Sequence, residues 1–270
     1  LQISFTFHNP HPTDHAALTR LLNQLFGVDA ELLNDPSTPG TSALADLIIA
    51  QPGVGTTGNV DGVGVDPYAF LTVLSMDAHR DNPAIGTLTK YVLRQTSTHS
   101  AMHAALRALL DKDTGKEKDQ PTRLGLVLSE RLVNMPVQVV PPMYRMLVDE
   151  LRWAVEDNEP FDFTHLLFIS RVYRLSQEEE EAMQAASRGS KRARVNQNQG
   201  QSQSAVYPFH PEDEYIQKLA THTHTYTLTQ TPPGPRASDA FGLDTAGRVM
   251  LVPAARLAEL VSVLGDVYPP

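Results

Sequence analysis

Two pairs of histidines have a spacing that could hold a metal ion. His99 and His103 lie four residues apart in a predicted helix, and His222 and His224 lie two apart on a predicted strand, so each pair shares one face of its element. No third ligand is evident for either pair, and His99 is not followed by the glutamate of a His-Glu-x-x-His metalloprotease helix. We therefore predict no metal site, a polar helix face for the first pair and an exposed edge strand for the second.

Two polar clusters lie at or just after the ends of predicted strands, where catalytic groups lie in many α/β proteins. Ser129-Glu130-Arg131 offers a hydroxyl with charged neighbours, but it lacks the Gly-x-Ser-x-Gly turn and the histidine of a serine hydrolase. Asp77, His79 and Asp81 follow another strand, and a solvent-exposed loop uses the same residue types. We predict no catalytic residue, a strand-end salt bridge or partner contact at the first cluster, and an ordinary polar loop at the second.

Five glycines between residues 51 and 64 give that stretch the composition of a phosphate-binding loop. Such a loop must open a helix, because free helix N–H groups complete the phosphate site. The sequence predicts no helix at the required place. We therefore predict a flexible or bulged strand region here.

The most regular part of the chain, residues 123–152, predicts a strand, a turn without glycine and a long helix. Residues 125–132 are apolar enough for an interior strand, and Asn134-Met135-Pro136 interrupts the pattern. From Val140 onward, apolar residues recur at helical spacing. Many α/β proteins bind a phosphate-bearing cofactor at such a turn through glycines and free N–H groups, and this turn has prolines instead. The pattern predicts no cofactor and a protein that is not an enzyme.

The remaining periodicity predicts one large domain. Strands and helices mix without a regular βαβ period, which favours an α/β (α+β) fold with a single mixed β-sheet flanked by helices over residues 1–270. The predicted strands are residues 3–7, 54–60, 68–76, 125–132, 164–175, 221–229 and 248–252. The predicted helices are residues 14–25, 42–50, 85–94, 100–110, 140–154, 212–219 and 253–264.

Composition narrows the classes of partner. The 270 residues include 31 acidic and 22 basic side chains, a formal net charge of −9, which disfavours direct nucleic-acid binding and favours a basic protein partner. The absence of cysteine excludes disulfides, Cys-ligated zinc and a cysteine nucleophile. No apolar run approaches the roughly 20 residues that span a bilayer, so we predict no membrane insertion.

Residues 188–204 are almost devoid of apolar side chains, which predicts a flexible polar insertion within the domain. Lys191, Arg192 and Arg194 form a short basic cluster in this insertion. Such a cluster is compatible with a nuclear localisation signal and equally with a solvated linker that balances the acidic residues 178–181.

Several segments together resemble the BCCIP family, and within it the fungal BCP-type members. They are IGTLTKYVL at residues 85–93, RLGLVLSERLVNMP at 123–136, PPMYRMLVDEL at 141–151 and FTHLLFISRVY at 163–173. The first strand, ISFTFHNP, and the segment VDPYAFLTVLS fit the same pattern. The resemblance covers nearly the whole chain outside residues 188–204.

This resemblance implies a fold like that of the GCN5-related N-acetyltransferases, in a family not known to be catalytic. Fungal members act in the nucleus as chaperones of a large-subunit ribosomal protein of class uL-fourteen and support production of the 60S subunit. They also assist nuclear export of a phosphatidylinositol-4-phosphate 5-kinase. The resemblance therefore implies a nuclear protein that can shuttle to the cytoplasm.

An N-acetyltransferase holds the pyrophosphate of coenzyme A with a glycine-containing loop after its central strand. Residues 130–137 (ERLVNMPV) occupy that place and contain no glycine. We predict that a partner binds around this unused cleft, near Asp66, Tyr68, Glu130, Arg131 and Asn134. Two alternatives stay open at this point: an N-acetyltransferase with an atypical coenzyme A loop, and a cargo adaptor for nuclear export.

Overall fold

The centre of the sheet is built from the most apolar runs of the chain. The computed structural model describes residues 4–35, 37–51, 53–60, 66–110, 123–175, 179, 206–229 and 244–269. Within them, eight strands form one sheet in the order β1-β2-β3-β4-β5-β8-β7, with β6 added beside β5. The strands are β1 Phe5–His8, β2 Thr56–Val60, β3 Ala69–Ser75, β4 Leu124–Arg131, β5 His165–Arg174, β6 Val206–Pro208, β7 His222–Thr227 and β8 Asp244–Pro253.

The strand directions make the sheet mixed. β4 and β5 run parallel, and the other paired strands in the described part of the chain run antiparallel. The parallel pair is connected through the helix that follows β4, as a parallel connection requires. The predicted single mixed sheet flanked by helices is confirmed, whereas the likeness to the GCN5-related fold stays a prediction.

Helices cover both faces of the sheet. They are α1 His15–Phe26, α2 Ala30–Leu33, α3 Gly40–Ala50, α4 Pro83–Gln95, α5 Ser100–Leu110, α6 Val140–Glu156, α7 Asp213–Leu219 and α8 Leu257–Val267. The side chain of Asn82 accepts the Ala84 N–H at 2.9 Å and Pro83 takes the first helical position, which together begin α4. Single 3₁₀ turns precede α6 and α8. The short elements α2 and β6 were not predicted, because neither is long enough to show a period.

Two apolar cores lie on opposite faces of the sheet. α1 to α5 pack on one face against Leu124, Leu126 and Leu128 of β4, and α6 to α8 pack on the other against Val127. This three-layer burial explains why β4 reads as a continuous apolar run rather than an alternating one. Each fully buried side chain of this size contributes about 1.5–3 kcal/mol to folding.

The predicted polar insertion at residues 188–204 lies outside the described residues, and so does the basic cluster at Lys191, Arg192 and Arg194. Both stay predictions. No helix among the described residues is long and apolar enough to cross a membrane.

Candidate functional site

The sheet opens between β4 and β5. Within the described residues, the parallel ladder begins at Leu124 and His165 and ends at Val127 and Phe168. Beyond that point the last four residues of β4 stay paired with β3, while the second half of β5 stays paired with β8. The two strands therefore diverge at their carboxyl ends, which is where open α/β sheets commonly bind ligands.

Glu130 of β4 places a carboxylate inside this opening. Its side chain is 0% exposed, and its Oε2 accepts a hydrogen bond from the Nε of Arg171 on β5 at 2.8 Å. Its Oε1 contacts Nε2 of His210 and accepts the backbone N–H of Arg131 at 2.9 Å. A charged group at this depth is tolerable only when opposite charges and donors surround it, and Glu130 has both.

A second ion pair lies beside the first. The guanidinium of Arg131 donates to both carboxylate oxygens of Glu212, through Nη1 to Oε1 and through Nη2 to Oε2 at 3.0 Å. The two side chains are 8% and 5% exposed. Two parallel N–H···O bonds are the strongest arrangement for an arginine–carboxylate pair. The predicted strand-end salt bridge at Ser129-Glu130-Arg131 is thus present, and it faces the interior.

Two members of this cluster, His210 and Glu212, come from residues 206–213, which comprise β6, the loop after it and the first residue of α7. Its β6 pairs with the end of β5, and the Phe209 N–H donates to the Arg171 carbonyl oxygen at 3.1 Å. The Phe209 ring lies 4.3 Å from the guanidinium carbon of Arg171. Backbone, aromatic and ionic contacts together fix this segment across the opening, so we call residues 206–213 the plug.

The plug leaves little space in the opening. A cavity of about 10 Å³ remains between Val127, Ser129, Tyr144, His210 and Asp213, room for about one water molecule. The pantetheine arm of coenzyme A would have to displace buried, charged side chains to enter. The residues present therefore do not fit coenzyme A between β4 and β5.

Burial and pairing set the pKa values in the cluster. Burial raises the pKa of Glu130, but the hydrogen bonds and charges of His210 and Arg171 outweigh it and lower that pKa to about 2. Burial and the neighbouring charge of Glu212 raise the pKa of Asp213, against the opposing effects of His210, Ser170 and Arg248. The cluster thus holds one firmly ionised carboxylate and one that resists ionisation.

The turn after β4 offers few backbone donors to a phosphate. The N–H of Leu132 donates to the Tyr68 carbonyl at 2.9 Å, and the N–H of Met135 donates to the Leu132 carbonyl at 2.9 Å. In the first turn of α6, Pro141 and Pro142 have no N–H, and the N–H of Val140 donates to the Val137 carbonyl. An anion site at a helix start needs free N–H groups, so this turn does not fit a pyrophosphate.

Gly53, Gly55 and Gly58 have the Gly-x-Gly-x-x-Gly spacing of a dinucleotide-binding turn. In the structure they lead from α3 into the strand β2, whereas that turn must lead from a strand into a helix. Gly55 has φ of +132°, and a side chain there would collide with Thr72. Gly55 therefore allows close packing of the chain against β3, and the strand predicted at residues 54–60 is present as β2.

The predicted histidine pairs are brought together in an unexpected way. His99 of α5 lies against His224 of β7, with ring centroids 5.2 Å apart. Burial and the charge of His99 lower the pKa of His224, whose Nε2 is 3.2 Å from the Gln95 carbonyl oxygen. Among the described residues, no group of three or more potential metal-ligating side chains occurs.

The loop at Asp77, His79 and Asp81 is tied to the sheet. Asp77 accepts hydrogen bonds from the Arg80 guanidinium at 2.6 Å and from the Leu124 N–H at 3.2 Å. The second bond ties the loop to the first residue of β4. This geometry gives Asp77 a structural role in a polar loop.

The five residues predicted for partner binding divide between surface and interior. Asp66 is exposed, 3.6 Å from Arg20, and Asn134 is exposed in the turn after β4. Tyr68 is half-buried, whereas Glu130 and Arg131 are buried in the ionic cluster. Of the five, only Asp66, Tyr68 and Asn134 have solvent-accessible side chains that a partner could contact. Partner binding at this place stays a prediction.

Comparisons with a family profile and with individual proteins identify the relatives of this chain. The sequence profile of the family described as BCCIP matches residues 1–216. This chain belongs to the BCCIP family. Protein bcp1 of Schizosaccharomyces pombe is 37% identical to it over 272 residues, spanning 99% of this chain and 90% of that protein. Protein bcp1 of Aspergillus fumigatus is 36% identical, spanning 100% and 88%.

A solved structure shares the fold. The crystal structure of BCP1 from Saccharomyces cerevisiae matches with a TM-score of 0.63 at 22% identity, covering 99% of this chain and 92% of that one. The profile match and the two relatives above confirm the predicted family.

Sequence reasoning missed the plug and the partners of Glu130 and Arg131. Arg171 carried the signal, because a charged residue amid the apolar run FISRVY of a buried strand must find an opposite charge. Its partner, Glu130, lies 41 residues away, and His210 lies 80 residues from Glu130. Nothing in the sequence pairs them.

Proposed function

We propose that this protein is a non-catalytic nuclear chaperone that binds a basic ribosomal protein of the large subunit, of class uL-fourteen, during 60S subunit production. The observation that carries the proposal is the plug. The opening at the carboxyl ends of β4 and β5, where a ligand would bind, is occupied by the protein's own buried ion pairs. What the molecule then offers a partner is its outer surface.

The negative net charge of this chain supports a basic protein as the partner. The chain has a net charge of −9, and free ribosomal proteins expose lysine and arginine side chains that are meant for RNA. An acidic surface attracts such a protein and suppresses its binding to other nucleic acids. The family resemblance supplies the specific client.

Copurification of the full chain with individual large-subunit ribosomal proteins tests the proposal. We expect one stoichiometric complex at about 0.1 M salt that weakens at about 1 M salt, since the Debye length falls from about 10 Å to about 3 Å. An acidic protein of similar size serves as the control. If none of the ribosomal proteins forms a complex at low salt, the chaperone proposal is wrong.

Export of a phosphatidylinositol-4-phosphate 5-kinase is a separate part of the proposal and rests on the family resemblance. It needs the protein to enter the nucleus, for which Lys191, Arg192 and Arg194 are the candidate signal. We expect alanine at all three positions to abolish nuclear accumulation and kinase export while leaving ribosomal-protein binding in vitro unchanged. Normal nuclear accumulation of that variant would remove the signal from the proposal.

One observation favours a second candidate, an N-acetyltransferase with an atypical loop. β4 and β5 diverge at their carboxyl ends, where open α/β sheets commonly bind ligands. The proline-containing turn and the filled opening weigh against it, and coenzyme A binding is the measurement that separates the two functions.

A further inference from the structure

An apolar groove lies away from the plug, on the α6 and α8 side of the sheet. It is bounded by the second half of α6, residues 161–163 and the beginning of α8, and its volume is about 480 Å³. This is the size of a site that takes several side chains or a small ligand. Its apolar lining includes Val148, Leu151, Val155, Phe163, Leu166 and Leu257.

One rim of this groove is strongly acidic. Glu156 and Asp162 line the groove there, and Asp157 and Glu159 lie on the loop between them. The guanidinium of Arg152, also in the lining, pairs with Asp149 of α6 at 3.0 Å. On the α8 side, Arg256 and Glu259 pair at 2.8 Å and cancel. The acidic residues of the rim are Glu156, Asp157, Glu159 and Asp162.

Large apolar side chains stay exposed beside the same rim. Trp153, the only tryptophan of the chain, is 55% exposed, and Val155 is 41% exposed. Exposed aromatic residues next to an apolar groove are typical of protein interfaces, and tryptophan is among the residues that most often dominate binding energy.

We propose that this groove, which we call the α6–α8 groove, binds an amphipathic segment of the basic client protein. Apolar side chains of that segment enter the groove, and its flanking lysines and arginines meet the acidic rim. A lipid or a neutral peptide would leave the carboxylates of Glu156, Asp157, Glu159 and Asp162 without a complement, so charge selects a basic segment. The inference rests on the proposed function and adds the place and the chemistry of client binding.

The fluorescence of Trp153 gives a direct test, because no other tryptophan contributes to the signal. The full chain is titrated with the ribosomal protein that copurifies with it, preferably one without tryptophan. We expect a saturable change in Trp153 emission at one equivalent. An unchanged emission during formation of a stoichiometric complex would place the client elsewhere and overturn the groove proposal, while the proposed function would stand.

Charge reversal provides the matched comparison. Glu156→Lys with Asp162→Lys should weaken client binding by about tenfold or more at low salt, because both charges face the segment. The control variant Glu31→Lys with Asp46→Lys makes the same change in net charge on α2 and α3, which lie on the opposite face of the sheet. It should weaken client binding by less than about threefold. Equal weakening by the two double variants would overturn the proposal.

The apolar part is tested with Val155→Asp. Because Val155 is exposed, the variant should keep the urea midpoint of the wild type while client binding weakens by about tenfold or more. Two results would overturn the proposal by showing that something other than the client occupies the groove. Self-association lost in Val155→Asp would point to a second copy of the chain, and a change in free-protein Trp153 emission on deleting residues 176–205 would point to the chain's own basic segment.

Discussion

Arg171 on β5 donates from Nε to the carboxylate of Glu130 on β4 at 2.8 Å, at a level where the two strands have already stopped pairing. A side-chain ion pair therefore joins the strands where the backbone ladder does not. This ion pair, His210, and the pair formed by Arg131 and Glu212 fill the gap between β4 and β5 with buried side chains.

Removal of the central carboxylate should be costly. Glu130→Ala leaves the charge of Arg171 buried without its partner, and we expect a loss of about 3–5 kcal/mol in the free energy of unfolding. Urea denaturation followed by circular dichroism measures it. Glu259→Ala removes the acid of an exposed ion pair and should hardly move the midpoint. A similarly small effect of Glu130→Ala would mean that the pair does not hold the strands.

The low pKa of Glu130 predicts an acid-dependent loss of stability. Because folding lowers the pKa from about 4.5 to about 2, the stabilisation is complete above the unfolded value and disappears as pH falls through the folded one. This single group should contribute about 3 kcal/mol to the decline between pH 5 and pH 2. Unfolding free energies of wild type and Glu130→Gln across this range should converge by that amount.

Asp213 should behave in the opposite sense. Folding raises its pKa, so the folded state retains the proton where the unfolded state has lost it, and ionisation costs stability as pH rises. The unfolding free energy of Asp213→Asn relative to wild type should therefore increase between pH 4 and pH 8. A flat difference would show that Asp213 ionises freely in the folded protein.

The bidentate pair of Arg131 and Glu212 should be replaceable as a unit. Arg131→Ala alone leaves a buried carboxylate unpaired and should cost about 3–5 kcal/mol, whereas Arg131→Met with Glu212→Leu should recover most of that loss. A double-mutant cycle in urea measures the coupling between the two positions. Additive effects would contradict the paired geometry.

Two glycines should respond oppositely to alanine. A methyl group at Gly247 of β8 would collide with the Tyr226 ring, so Gly247→Ala should cost about 1–3 kcal/mol. Gly86 lies within α4 with open space around it, so Gly86→Ala should stabilise by about 0.5–1 kcal/mol. Thermal unfolding of both variants compares them, and destabilisation by Gly86→Ala would contradict the helix packing.

Coenzyme A should not stabilise the protein. A ligand present at 100 times its dissociation constant adds about 2.7 kcal/mol to folding, so millimolar coenzyme A would raise the melting temperature if it bound at micromolar affinity. We expect no shift in wild type. A shift that is lost in Asn134→Trp, which crowds the turn after β4, would instead support the acetyltransferase function.

The local sequence pattern was enough to predict the long strands and helices. The apolar run of β4 and the helical period of α6 were readable because burial on both faces and burial on one face leave different local patterns. The prolines after β4 likewise predicted a turn with few backbone N–H donors. The short α2 and β6 escaped because a few residues cannot display a period.

Which charged side chains form pairs became known from the three-dimensional arrangement of the strands. Glu130 and Arg131 looked like surface groups at the end of a strand, and they are interior because the plug, some 80 residues later, folds over them. The α6–α8 groove likewise exists only where a helix end, a loop and a second helix converge. Hydrophobic periodicity is a local property of the chain, whereas the pairing of buried charges depends on strand order and on which segments cross the gaps in the sheet.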